Sequence, residues 1–69
     1  MMIKYNPQAI VKLLKKNKIG YSGLAHALNT DRQKVRAWIK EGRQPAADTL
    51  MNICSIYNLS MSYFFKEVK

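Results

Sequence analysis

Apolar side chains recur along this chain at the spacing of helical faces, separated by short polar or glycine-bearing breaks. Ile10, Leu13 and Leu14 stand at i, i+3, i+4, behind an Asn6-Pro7 pair suited to the N-cap and first helical position. They predict a first helix over about residues 7–17, ending at Asn17 and Lys18. After Gly20, a stripe of Tyr21, Leu24, Ala25 and Leu28 predicts a short second helix. Asn29 follows where a left-handed residue would turn the chain, and asparagine tolerates that conformation best among non-glycine residues. Thr30 and Asp31 are both good N-caps for a third helix, about 32–39, with Val35, Trp38 and Ile39 on one face. Glu41-Gly42-Arg43-Gln44-Pro45 is a loop by its glycine and proline. Leu50, Ile53, Cys54 and Tyr57 mark a fourth helix that stops at Asn58. Ser60 caps a short fifth in which Met61, Phe64, Phe65 and Val68 share a face. Ile3 and Tyr5 alternate in a short extended arm, residues 1–6. The expected fold is all-α: one domain over residues 1–69, a compact five-helix bundle whose second and third helices, about 21–39, meet across a tight turn.

Charge changes the picture because it is lopsided. The net charge is +8, and residues 1–43 hold ten Lys/Arg against Asp31 and Glu41, while the remainder is balanced. One half of the chain is built to face a polyanion. Lys12, Lys15 and Lys16 on the outer side of the first helix read as a solvated lysine face, with a membrane-surface helix as the competing reading.

The third helix carries the informative chemistry. At about 100° per residue, Arg32, Gln33, Arg36, Ala37 and Lys40 share an arc turned away from Val35, Trp38 and Ile39. Arginine donates in a fork that matches the O6/N7 edge of guanine, glutamine both donates to and accepts from adenine, and an alanine methyl can touch a thymine methyl. Arg32, Gln33, Arg36 and Ala37 are therefore candidate base contacts in a major groove. Lys34, Lys40 and Arg43 are the candidate phosphate contacts beside them.

Other chemistry finds no footing. One cysteine, Cys54, and one distant histidine, His26, make neither a disulfide nor a four-ligand zinc site, so no metal and no cofactor is expected. The serines lack a placed histidine and the four acids show no pairing, so no enzyme is expected. No apolar run nears the roughly 18 residues that span a bilayer, and no leader-like stretch opens the chain. The expectation is an intracellular, cytoplasmic protein without a membrane partner.

These residues resemble the Cro/repressor-type, or xenobiotic-response-element-like, helix-turn-helix family. The segments that carry the likeness are Leu24-Ala25, Leu28-Asn29, Val35 and Trp38, then Pro45 with Thr49-Leu50, then Asn58-Leu59-Ser60. The resemblance implies a five-helix fold and a bacterial or phage regulator, a repressor in kind, that binds operator DNA as a dimer with its third helix in the major groove. It places Arg32, Gln33 and Arg36 as base readers and Tyr21 where members contact phosphate. Gly23 and Asn29 depart from the usual family residues, and Gly42 comes one residue late. Surplus apolar surface at Met61, Tyr63, Phe64 and Phe65 is the expected homodimer interface. The alternative is an interaction module, such as an antitoxin that binds a partner protein.

Overall fold

The computed structural model describes residues 2–68. Four α-helices, one 3-10 turn and two short strands make up the chain: β1 (Met2–Tyr5), α1 (Gln8–Asn17), α2 (Tyr21–Ala27), α3 (Arg32–Lys40), α4 (Ala47–Tyr57), the turn Met61–Phe64, and β2 (Phe65–Val68). The first four of the five predicted helices are present within a residue or so of their expected ends. Asn6 accepts a hydrogen bond from the Gln8 N–H through Oδ1 (3.2 Å), as an N-cap should. Lys18, Asn29 and Asn58 each take the left-handed conformation just past a helix. Behind Asn29 and Asn58 the next N–H folds back onto the last turn, Thr30 to the Ala25 carbonyl (2.9 Å) and Leu59 to that of Cys54 (2.9 Å).

The apolar stripes converge on one core. Ile10, Leu24, Val35, Ile53 and Phe64 are wholly buried, and Leu13, Leu14, Leu50, Ala25 and Trp38 close around them. Gly23, a weak helix former, has a packing reason. A Cβ there would lie 3.2 Å from the Ile19 Cβ, tighter than such contacts usually run.

The fifth helix does not form. A single 3-10 turn over Met61–Phe64 gives way to β2, which pairs antiparallel with β1 in the register Met2↔Val68, Ile3↔Glu67, Lys4↔Lys66, Tyr5↔Phe65. Apolar positions at i, i+3, i+4, i+7 fit one helical face, but Phe65 and Val68 also suit a strand, and the run is too short for its period to decide. What decides is the partner. The Asn6 N–H donates to the Phe64 carbonyl (2.8 Å), and from there the two ends of the chain zip together. The predicted arm is thus a paired strand, and the fold is helical with a small terminal sheet rather than all-α with five helices.

This sheet holds the third helix. Tyr5 is buried, stands edge-on to Phe65 at 6.5 Å, and its hydroxyl donates to the Trp38 carbonyl at 3.0 Å. Trp38 O is one of the last four carbonyls of α3, which the helix itself cannot satisfy. Tyr5→Phe should therefore cost about 1–3 kcal/mol by leaving a buried acceptor bare. Thermal unfolding should register this as a lower midpoint, by roughly 4–8 °C per kcal/mol. Burial also pushes the Tyr5 hydroxyl up to about 12 from its ordinary 10.0. Below pH 10 both folded and unfolded chains keep this proton, so the contribution is flat. Between 10 and 12 only the unfolded chain releases it, binds fewer protons, and gains stability relative to the fold. Stability should fall over that window in the native chain, and the Tyr5→Phe protein should lack this part of the slope.

Candidate nucleic-acid interface

The turn between α2 and α3 is built from local hydrogen bonds. Leu28 ends α2, Asn29 turns at φ 54°, and Asp31, extended, starts α3 by accepting the Lys34 N–H on Oδ1 at 2.9 Å. Leu24 and Ala25 of α2 face Val35 and Trp38 of α3 in the core, with the small Ala25 permitting close approach. With its inner face consumed, α3 presents the other one.

Arg32, Gln33, Lys34, Arg36 and Lys40 are all exposed, and none of them is held in an ion pair among the described residues. Their distribution around the helix is less even than a single arc. Measured from Val35 at about 100° per residue, Gln33 and Lys40 lie about 160° and 140° away, at the centre of the outward face, with Arg36 at about 100°. Arg32 falls at about 60°, on the flank beside half-buried Ile39, and Lys34 on the opposite flank. Ala37 is half-buried, and its carbonyl accepts both the Glu41 and Arg43 N–H groups (3.1 and 3.2 Å) as the loop folds back over the end of α3. Gly42, at φ 68°, makes that fold possible. The late glycine thus keeps the loop against the helix.

Arg43 sits where the loop brings it, just past Lys40, exposed, with its Nε 3.6 Å from Glu41 Oε1. An exposed pair of this kind is worth little, so a phosphate can displace the carboxylate at small cost. Sequence reading missed this pairing, although two residues of opposite charge flanking a glycine were the available signal. Tyr21, the first residue of α2, is half-buried with its ring against the core.

The four residues assigned to a dimer interface do not share an exposed face. Phe64 is 0% exposed and fills the centre of its own chain's core. That assignment is corrected: an aromatic ring at the 3-10 turn is needed inside. Tyr63 and Phe65 pack partly against the same core, Tyr63 standing edge-on to Phe64 at 5.4 Å. Met61 alone of the four is exposed, its Sδ 3.8 Å from Cys54 Sγ.

No pocket interrupts the described surface, and no group of three or more His, Cys, Asp or Glu in it is placed to hold a metal. No helix among the described residues is long and apolar enough to cross a membrane. What the chain offers is a convex, basic, amide-bearing helix on a rigid two-helix frame, which defines a helix-turn-helix domain. A family model for the Cro/C1-type HTH DNA-binding domain matches residues 9–66, and the chain belongs to that family. Among solved structures, a transcriptional regulator from Listeria innocua superposes with a TM-score of 0.82 at 16% identity, over 96% of this chain and 63% of that one. The chain thus spans less than two thirds of that protein's length, and the likeness is one of fold. No curated protein sequence matches this chain.

Proposed function

We propose that this protein is a sequence-specific operator-binding regulator, a repressor of the Cro type, acting in the cytoplasm as a homodimer on duplex DNA and without enzymatic activity. The observation that carries this reading is the exposed face of α3: Gln33, Arg36 and Lys40 side by side, flanked by Arg32 and Lys34, with no acid among them. The two acids that bound the helix are both engaged, Asp31 as the N-cap and Glu41 beside Arg43. A helix seated by Val35 and Trp38 enters the major groove as a rigid body, with Gln33, Arg36 and Arg32 toward base edges. Lys34, Lys40, Arg43 and the Tyr21 hydroxyl then meet the flanking phosphates. The phosphate contacts release counterions and supply affinity, which falls steeply with salt. The base contacts supply choice.

The test is selection of bound sequences from a random duplex library at about 150 mM salt, where non-specific phosphate binding is screened. A palindromic motif with half-sites about one helical turn apart is the expected result. If nothing is enriched and binding disappears at that salt, the basic face is an electrostatic patch and the chain is a protein-binding module.

A further inference from the structure

Both long edges of the β1–β2 sheet are unpaired among the described residues, and the edge of β1 is apolar, with Met2 71% and Ile3 68% exposed. The pairing rules of the ladder say which groups that edge presents. Asn6 N–H donates to the Phe64 carbonyl, and hydrogen-bonded and non-bonded pairs alternate from there. Lys4 and Met2 therefore turn their N–H and C=O groups toward β2, while Ile3 and Tyr5 turn theirs outward.

We propose that the β1 edge pairs with the β1 edge of a second copy, giving a two-fold dimer with a four-stranded sheet centred on Ile3. Facing residues of a ladder point to the same side of the sheet, so a two-fold axis normal to it must pass through a pair of identical residues. Centred on Ile3, the two copies exchange both outward hydrogen bonds of that residue, the isoleucines meet, and Met2 of one chain faces Lys4 of the other. No like charges oppose each other. Centred on Lys4 the two ammonium groups would collide, and the β2 edge sets Lys66 against Lys66 or Glu67 against Glu67. Of the registers that keep at least three strand residues in the ladder, these charges leave the one centred on Ile3.

This inference rests on the homodimer in the reading above and names its surface. Because β1 also bonds α3 through Tyr5 and Trp38, the shared sheet would fix the two reading helices relative to each other. Four residues per strand bury less than the ~1,000 Å² of a stable interface, so the free dimer is weak and tightens on paired half-sites.

Cross-linking tests it without DNA. Residues in a hydrogen-bonded antiparallel pair have Cα atoms about 5.5 Å apart, within disulfide reach. In a Cys54→Ser background, Ile3→Cys should form a covalent dimer under mild oxidation, whereas Met51→Cys, exposed on α4, should form one at least tenfold more slowly. Ile3→Pro removes only an N–H that the chain's own ladder leaves unused, and proline is tolerated on such an edge. Its thermal midpoint should be unchanged while self-association in sedimentation equilibrium weakens at least tenfold. Equal cross-linking at positions 3 and 51, no cross-link at either, or self-association indifferent to Ile3→Pro would overturn the proposal. A dimer cross-linked at position 3 from a chain that selects no DNA sequence would instead sink the operator reading and leave the interface standing.

Discussion

Phe64→Ala should lower the thermal midpoint more than any other single truncation near the carboxyl end. Removing a fully buried phenylalanine costs about 3–5 kcal/mol, the lost transfer plus the cavity left behind. A domain of this size has only about 3–10 kcal/mol in hand, so the variant should be partly or wholly unfolded at room temperature. Far-ultraviolet circular dichroism through a thermal scan measures this directly. The loss should be the same at low and high protein concentration, because the ring lies inside one chain; a dimer-interface residue would give a midpoint that moves with concentration. Met61→Ala, on the exposed side of the same 3-10 segment, should shift the midpoint little.

On DNA, the largest effects should come from Arg36→Ala and Gln33→Ala, and they should differ in kind from that of Lys40→Ala. A lost base contact relaxes discrimination at its own base pair by about 1–3 kcal/mol, roughly five- to 150-fold, while leaving other positions as they were. A lost phosphate contact weakens every sequence alike and makes the salt dependence shallower by about one unit of log–log slope. Binding measured against the selected operator and its single-base variants, at two or more salt concentrations, separates the two classes. If all three substitutions gave the same uniform loss, α3 would be acting as a charged rod and the assignment of readers would fail.

The helices were legible because their signals are local. Asn29 as a left-handed turn, Asp31 as a cap, and Val35 with Trp38 as the inner face each follow from residue type and spacing, and each stands in the structure as expected. The candidate reading face was legible for the same reason, since the outer face of a helix is the complement of its inner one. The segment after Ser60 was not. Its apolar spacing fits a helix, and what overrides the spacing is a partner at the other end of the chain, the Asn6 N–H and the β1 ladder. The same non-local pairing hid Phe64's place in the core and the Tyr5 hydroxyl's hold on Trp38. Period counting reads a neighbour three or four residues away; it does not read one about sixty away.

That closure has a bearing on which partly open forms lie near the native one. Met2 sits opposite Val68, so the sheet joins the two ends of the chain and closes the longest loop in the molecule. The helices and the turn between α2 and α3 are held by short-range bonds and the apolar core, and most of them survive if the terminal ladder parts. Such a frayed state retains a bundle but frees the Trp38 carbonyl of α3 from the Tyr5 phenol. One anchor of the end of α3 thus lies in the part of the fold farthest from it in sequence, and a change at either end of the terminal ladder reaches that helix through four residues of strand.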